Sequence, residues 1–307
     1  MGISAKETPN VCDSNQIMKP PKFEYFAPET LAEATALLAE HGDDAKILAG
    51  GQSLMPMLNM RMVRPQVLVD LNGVADLGGV EQHLGGGLTI GALTRQRELE
   101  RSPVVREAAP VISAAMPYLG HVQIRNRGTI GGSLSHADPA AELPALCTAL
   151  DAQFVLTSSS GERTVPARDF FVTALTTALE AQEILTQVRI PPPVDGSSWG
   201  FYEVCRREGD FALAGAVCMV HLDASGTCQD ARIILFGVGG APVRADAGAG
   251  ALIGTKPDAA SLQKAADAVS QELEPPGDIH ASAQYRKEVG GVVVRRALAQ
   301  ALEGRSQ

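Results

Sequence analysis

The sequence lacks the features by which several classes of protein are recognised. Its five cysteines are widely spaced, and no two lie close enough to chelate zinc or to hold an iron–sulfur cluster. No stretch approaches the roughly 20 apolar residues that span a bilayer, and no basic segment followed by an apolar run opens the chain. These absences predict a cytoplasmic protein with reduced thiols, no membrane insertion and no metal site of its own. The thiols are Cys12, Cys147, Cys205, Cys218 and Cys228.

Positive charge is also scarce. The chain has 26 Lys and Arg residues against 35 Asp and Glu residues, a formal net charge of -9. Nucleic-acid binding needs a clustered basic face, and the sequence contains no such stripe. A small molecule or another protein therefore remains as the expected partner.

What the chain does contain is enough apolar material for two domains. It has 307 residues, of which 45% are hydrophobic, and this length favours two domains over one. The proline- and serine-rich run PPPVDGSS predicts a boundary, which divides residues 20–192 from residues 193–307. Residues 1–19 are polar and unpatterned, and they predict a mobile N-terminal extension. The fold class expected is α+β.

The first part of the chain shows a helix followed by two strands. Thr30 and Glu33 form a capping box, and Gly42 stands where a helix is expected to end, so a helix is predicted over residues 30–41. The runs KILAGG and QVLVDLNG predict strands, with a short helix in SLMPMLNMRM between them.

Further elements follow the same patterns. LTIGAL predicts a strand, residues 103–116 a helix, and residues 139–150 a second helix with Asp138 as N-cap and Pro139 in its first position. AQFVLTSSSGERTV predicts a hairpin and EILTQVRI a last strand. Beyond the boundary we expect three strands in a small antiparallel sheet, with two or three amphipathic helices on one face.

Two glycine pairs share one design. AGGQS at residues 49–53 and TIGGS at residues 129–133 each place Gly-Gly after a short apolar run and before a hydroxyl residue. Neither contains the lysine of a P-loop. Glycine leaves main-chain N–H groups accessible, and such groups beside a helix N-terminus can donate hydrogen bonds to a pyrophosphate. The alternative is that both are tight turns with glycine at positive φ.

These segments resemble the FAD-binding medium subunit of the molybdenum hydroxylases, the family of carbon monoxide, xanthine and N-heterocycle dehydrogenases. ILAGGQSLMPMLNMRMVRPQVLVDLN and IRNRGTIGGSLSHADPAAELPAL resemble its two flavin-binding segments, and RREGDFALAG and YRKEVGGVVVRRAL resemble its C-terminal domain. The resemblance covers residues 20 to about 300. It implies a two-subdomain α/β FAD-binding domain, divided at about residue 75, followed by a small antiparallel sheet packed with helices.

The resemblance also implies which residues bind FAD. The first segment would wrap the pyrophosphate, and the second would form the opposite wall. Leu119 and Glu142 would contact the flavin, and Phe211 would cover the isoalloxazine ring. A carboxylate such as Glu142 is also favoured in the first turn of any helix, whatever else it does. The full set is Ile47, Leu48, Ala49, Gly50, Gly51, Gln52, Ser53, Leu54, Leu119, Thr129, Ile130, Gly131, Gly132, Ser133, Glu142 and Phe211.

The function implied is that of an FAD-binding electron-transfer subunit with no substrate-oxidising residues of its own. The molybdenum cofactor would lie on a large partner subunit and the iron–sulfur clusters on a small one, in a dimer of heterotrimers. Two alternatives stay open: a stand-alone FAD-dependent oxidoreductase, and a binding module that carries no flavin. A nicotinamide-dependent dehydrogenase is disfavoured, because LFGVGGAPVRA lacks the third glycine of the dinucleotide fingerprint and is better explained as a turn that ends a strand.

Two polar clusters are open to other interpretations. Ser135, His136 and Asp138 have the residue types of a hydrolase triad, but adjacent side chains diverge and no G-x-S-x-G precedes them, so a polar turn is favoured. Residues 206–210, RREGD, either bind an anion or a partner, or form a solvated charged turn.

Overall fold

The computed structural model describes residues 19–303. The α+β class is confirmed, since helices and both parallel and antiparallel sheets are present. Apart from Lys19, the predicted N-terminal extension lies outside the described residues, and so does Cys12.

The first unit is a small parallel sheet. Its elements are β1 (Glu24–Phe26), α1 (Leu31–His41), β2 (Ala45–Leu48), α2 (Leu54–Asn59) and β3 (Val67–Asp70). The strand order is β1-β3-β2, with both pairs parallel. Apolar side chains of α1 and of these strands form one buried cluster, which fixes the carboxyl end of β2 and the loop that follows it.

Helix α1 confirms the predicted helix to within one residue. Its N-cap Thr30 accepts from the Glu33 N–H, and the Glu33 carboxylate accepts in return from the Thr30 N–H. Gly42 ends it with φ of 51°, a value that glycine tolerates without a Cβ clash. The predicted strands KILAGG and QVLVDLNG and the short helix between them are confirmed as β2, β3 and α2.

The second unit is a five-stranded antiparallel sheet covered by short helices. Its elements are β4 (Val80–Gln82), β5 (Leu88–Gly91), α3 (Gln96–Arg101), α4 (Pro103–Ala108), α5 (Pro110–Ala115), a 3-10 turn (Met116–Tyr118), α6 (Val122–Arg125), α7 (Ile130–His136), α8 (Glu142–Ala149), β6 (Gln153–Ser158), β7 (Gly161–Pro166), α9 (Ala167–Phe170), β8 (Phe171–Thr173), β9 (Thr176–Thr177) and β10 (Ile184–Ile190). The strand order is β4-β5-β10-β6-β7, and β8 pairs with β9 separately. The predicted hairpin is confirmed as β6–β7, and EILTQVRI forms β10 in the middle of the sheet.

The helix predicted over residues 103–116 is wrong as a single element. Pro110 has no N–H to donate, and its ring disfavours helical geometry at Ala109. Ala109 accordingly has φ of -143°, so α4 ends before it and α5 starts at Pro110.

The helix predicted over residues 139–150 starts three residues late. Its N-cap is Ala141, and neither Asp138 nor Pro139 has the predicted capping role. The Asp138 carboxylate accepts instead from the Ala140 N–H at 2.8 Å, a local turn that competes with helix capping.

The C-terminal unit is the predicted antiparallel sheet with helices on one face, but the sheet has four strands where the sequence predicts three. Its elements are β11 (Ser197–Val204), β12 (Ala214–Leu222), β13 (Cys228–Phe236), β14 (Val243–Arg244), α10 (Asp246–Gly250), α11 (Ala259–Glu272) and α12 (Ala283–Glu303). The strands form an antiparallel sheet in sequence order, and the helices cover one face. LFGVGG ends β13 in a turn at Gly237 and leads to β14, not to a helix, which confirms the interpretation as a strand-ending turn.

The other face of this sheet packs on the second unit. Phe201 and Phe236 belong to the same buried cluster as Leu143 and Leu146 of α8. Two polar contacts reinforce the junction: Arg232 donates to the Ala149 carbonyl, and the Gly237 N–H donates to the Pro139 carbonyl, both at 2.8 Å. One continuous core therefore joins the second unit to the C-terminal unit.

Replacing Gly200 with alanine is expected to destabilise the protein. A Cβ at this position of β11 would overlap the Ala297 carbonyl oxygen of α12, a main-chain atom that cannot rotate away. We expect the free energy of unfolding to fall by about 1–3 kcal/mol, measured as a lower urea midpoint at unchanged m-value. Gly250→Ala is the matched control, because nothing lies within 4 Å of its added Cβ; equal losses in both variants would contradict the packing argument.

Candidate functional site

The two glycine-containing segments, distant in sequence, are neighbours in space. The Cα of Gly50 lies against the main chain of the second segment, where a Cβ would overlap the Arg127 carbonyl oxygen and approach the Gly128 Cα to 2.8 Å. A Cβ on Gly132 would lie 3.7 Å from the Ala49 Cβ. The two segments therefore lie side by side, as adjacent walls of one candidate site.

Two side chains hold these walls together. Asn72 donates to the Ala49 carbonyl at 2.9 Å, and its own side-chain oxygen accepts from Arg95 at 2.6 Å. The other guanidinium nitrogen of Arg95 donates to the Arg127 carbonyl. Sequence reasoning missed both residues as site residues: Asn72 stands in the run QVLVDLNG, which predicts only a strand, and nothing in the pattern marks Arg95.

The first segment carries unused main-chain donors. Ile47 and Leu48 end β2, and Leu54 begins α2. Between them, the N–H groups of Gly50, Gly51, Gln52 and Ser53 donate no hydrogen bond within residues 19–303. Gly51 has φ of 72°, which only a residue without a Cβ adopts readily. A run of successive free N–H groups is the arrangement that binds anions in proteins.

The second segment differs from the turn that was predicted. Thr129 is the N-cap of α7, and both glycines lie inside the helix. Ile130 N–H donates to the Thr94 carbonyl, Gly131 N–H to the Ala92 carbonyl and Gly132 N–H to the Thr129 hydroxyl, at 3.1, 2.8 and 3.1 Å. The Ser133 N–H donates to the Thr129 carbonyl. The prediction of a second turn lined by free N–H groups is therefore wrong.

Gly131 lacks a side chain for a reason other than ligand access. Its Cβ would lie 2.5 Å from the Ala92 Cβ and 2.8 Å from the Ala92 carbonyl oxygen. The glycine lets α7 start directly against the chain that follows β5, and it keeps this wall in place.

The remaining predicted residues lie outside the two glycine-containing segments. Leu119 is 8% exposed and follows Tyr118, whose ring packs on Phe201 of β11 with centroids 5.2 Å apart. Phe211 is 66% exposed, in the loop after β11. That loop touches the same region, since a Cβ on Gly209 would lie 2.5 Å from His121 Cε1.

Glu142 is the first residue of α8 and is only 4% exposed. Burial, with a smaller contribution from the nearby Asp138 charge, raises the pKa of its carboxyl to about 7. The residue thus combines the helix position expected of a carboxylate with an environment that disfavours its charge.

Glu203 is a second buried carboxyl, which sequence reasoning missed. It is 9% exposed, and neither of its carboxylate oxygens has a hydrogen-bond partner in the described part of the chain. Burial raises its pKa to about 8, with a further contribution from the Glu142 charge. The sequence offered one signal for it. Glu203 stands two residues after Phe201 in a predicted strand, so the two side chains lie on the same face, and Phe201 is an apolar residue expected to face the core.

The two polar clusters lie at a helix end and in an exposed turn. Ser135 and His136 end α7, while Asp138 is turned towards the Ala140 N–H. Arg206 pairs with Asp210 at 3.5 Å across an exposed turn. Within residues 19–303, no group of three or more His, Cys, Asp or Glu side chains is placed to hold a metal ion.

The sequence matches family models over most of its length. Residues 21–193 match the FAD binding domain in molybdopterin dehydrogenase, and residues 199–301 match the CO dehydrogenase flavoprotein C-terminal domain. The chain belongs to the FAD-binding medium subunits of the molybdenum hydroxylases. It is accordingly a flavoprotein subunit of an oxidoreductase. None of the helices in residues 19–303 is long and apolar enough to cross a membrane.

Relatives of this medium subunit match it nearly end to end. The 6-hydroxypseudooxynicotine dehydrogenase complex subunit alpha of Paenarthrobacter nicotinovorans is 43% identical over 285 residues, covering 93% of this chain and 96% of the relative. The carbon monoxide dehydrogenase medium chain of Hydrogenophaga pseudoflava is 40% identical over 282 residues, covering 92% and 97%. A solved structure of the latter organism's carbon monoxide dehydrogenase superposes with a TM-score of 0.89 at 39% identity, covering 93% of this chain and 99% of the other.

The two buried carboxyls predict that the protein loses stability as the pH rises. The folded chain keeps their protons up to pH values of about 7 and about 8, whereas unfolded glutamates release them near pH 4.3. Their contribution to the free energy of unfolding is therefore complete below about pH 4.3 and is lost as the pH rises through the pKa values of the folded state. The free energy of unfolding falls by about 1.4 kcal/mol per pH unit for each proton that the folded state binds in excess of the unfolded state.

We expect Glu203→Gln to reduce this slope in urea titrations of unfolding between pH 5 and pH 8. Glu208→Gln, on the exposed turn nearby, should keep the slope of the unchanged protein. A Glu203→Gln slope equal to that of the control would show that Glu203 is ionised in the folded state.

Proposed function

We propose that this chain holds FAD between the two glycine-containing walls and is the electron-transfer subunit of a heteromeric molybdenum hydroxylase. In this proposal it takes electrons from iron–sulfur clusters of a partner subunit and passes them to an external acceptor. The observation that carries the FAD site is the run of unused N–H groups at Gly50–Ser53, in a chain whose family binds this cofactor.

The residues present fit the two ends of an FAD molecule. Free N–H groups suit the anionic pyrophosphate, with the surface of residues 129–133 opposite them. Phe211 is 66% exposed and offers apolar surface for the flavin ring, while Leu119 and Glu142, for which the resemblance also implies flavin contacts, are 8% and 4% exposed. FAD supplies the redox chemistry when bound, while the chain binds it, orients it and limits its access to water.

The proposed partners are a large molybdenum-binding subunit and a small iron–sulfur subunit, assembled as a dimer of heterotrimers. Support comes from relatives that are named as subunits or medium chains, among them the nicotine 6-hydroxylase medium subunit of Paenarthrobacter nicotinovorans. We propose the cytoplasm as the compartment. Cys147, Cys205, Cys218 and Cys228 are free thiols, as is typical of reducing compartments.

Asn72→Ala is expected to weaken FAD binding more than it weakens the fold. The change removes the donor to the Ala49 carbonyl and the acceptor for Arg95, so the loop of free N–H groups is no longer fixed against the second wall. We expect a loss of about 1–3 kcal/mol in FAD affinity, which is about 5-fold to 150-fold in Kd, measured by flavin fluorescence on titration of the flavin-free chain.

Asn126→Ala is the control for that experiment. Asn126 is exposed and lies next to the same wall, but its side chain makes no hydrogen bond within the described residues. It should bind FAD like the unchanged chain. Equal affinities for all three proteins would mean that the Asn72 and Arg95 contacts do not position the cofactor site.

The electron-transfer role is tested by reduction with and without partners. The tagged chain, purified from its native host, should copurify with a large and a small subunit and release about one FAD per chain on denaturation. Substrate of that complex should bleach the flavin absorbance of the complex, and should leave the chain alone oxidised. Turnover by the chain alone would support a stand-alone oxidoreductase, and absence of released FAD would support a flavin-free binding module.

A further inference from the structure

Asn72, which joins the two walls, is itself held by the carboxylate of Asp70. The Oδ1 atom of Asp70 accepts from the Asn72 main-chain N–H at 2.9 Å and from the Asn72 side-chain Nδ2 at 2.5 Å. The same Nδ2 donates to the Ala49 carbonyl at 2.9 Å, at the start of the loop of free N–H groups. A continuous set of hydrogen bonds therefore leads from Asp70 to the loop proposed to bind FAD.

Asp70 is held in turn from the edge strand of the parallel sheet. It ends β3, paired with Leu48 at the end of β2, and its Oδ2 atom accepts from the Tyr25 hydroxyl of β1 at 2.6 Å. Both carboxylate oxygens of Asp70 thus have partners within the fold. Partial burial opposes the charge, but the hydrogen bonds from Tyr25 and Asn72 outweigh it and keep the pKa of Asp70 below its ordinary value. The carboxylate is therefore ionised at neutral pH.

An ionised carboxylate can only accept hydrogen bonds, and this fixes which end of the Asn72 amide faces Asp70. The amide NH2 group points to Asp70 and to the Ala49 carbonyl, so the amide oxygen is left to accept from Arg95 at 2.6 Å. The reverse orientation would place that oxygen against two acceptors and the NH2 group against a guanidinium, which has only donors. The side chain of Asn72 would then lose its contacts with both walls.

We propose that Asp70 is a positioning residue for FAD binding: it fixes the orientation of the Asn72 amide and thereby the loop of free N–H groups, and Tyr25 holds Asp70 in place. The inference rests on the proposed function. In this role Asp70 needs no contact with the cofactor, since its two oxygens are occupied by Tyr25 and Asn72. Its contribution to FAD affinity should therefore disappear when Asn72 is absent.

The first arm of the test measures FAD affinity of the full, flavin-free chain by flavin fluorescence. We expect Asp70→Asn to raise the Kd about 10-fold, because an amide in place of the carboxylate can present its NH2 group to Asn72 as readily as its oxygen. Added to Asn72→Ala, the same change should raise the Kd no further. Asp76→Asn is the matched control, since Asp76 is exposed and its side chain makes no hydrogen bond in the described part of the chain.

Tyr25→Phe extends this arm to the edge strand. The change removes only the hydroxyl that donates to Asp70 and keeps the ring, which is 54% exposed. We expect the Kd for FAD to rise about 3-fold, and to rise no further when Asn72→Ala is already present. If Asp70→Asn does not fold, Tyr25→Phe provides the same comparison.

The second arm needs no flavin. In proton–nitrogen NMR spectra of the flavin-free chain, the side-chain NH2 signals of Asn72 are assigned by their loss in Asn72→Ala. We expect Asp70→Asn and Tyr25→Phe to shift these signals, and Asp76→Asn to leave them in place. A variant that only lowered the stability of the fold would leave them unshifted.

The outcomes separate the two claims. Asn72 signals that neither Asp70→Asn nor Tyr25→Phe shifts overturn the claim that Asp70 orients the amide. An unchanged Kd in Asp70→Asn, or an equal rise with and without Asn72→Ala, overturns the positioning role, because an effect that does not pass through Asn72 would add to its loss. A chain that binds no FAD defeats the proposed function and the positioning role with it, while the NMR arm still shows whether Asp70 orients Asn72.

Discussion

The site depends on one main-chain contact, that of Gly50 with the chain at Arg127 and Gly128. Any side chain at residue 50 would separate the two walls, and Arg95 and Asn72 add hydrogen bonds across the same seam. Because the contact fixes the loop after β2 from one side, the N–H groups of that loop are left free on the other. The free N–H groups of residues 50–53 thus follow from the close packing of Gly50 on the chain at Arg127 and Gly128.

Much of the fold was predictable because its determinants are local. The capping box of α1 and the apolar runs of β2, β3 and β10 operate over a few residues, and the structure places these elements where the sequence indicates. The family resemblance also paired the two glycine-containing segments, and the structure makes them neighbours. Glycine pairs are a useful signal because missing side chains indicate that a ligand or another part of the chain approaches closely.

Local patterns could not show whether the missing side chains make room for a ligand or for another part of the chain. Gly131 faces Ala92, not open space, and the N–H groups around it are used within the fold. Glu203 and Arg95 acquire their importance only from tertiary neighbours, so spacing along the chain does not mark them. Pro110 was a local signal that the apolar periodicity of residues 103–116 concealed. Its missing N–H donor and its steric clash with the preceding turn are enough to end a helix at that position.

The core shared by α8 and the C-terminal sheet limits how this subunit diverges. Phe201 and Phe236 complete a core whose other half belongs to the cofactor-binding unit, so the C-terminal unit is not a detachable module. A chimera that took residues 199–301 from a relative would have to preserve the inward surface of β11–β13 as one block. Outward positions on α11 and α12 are under no such restraint, so substitutions there leave this shared core intact.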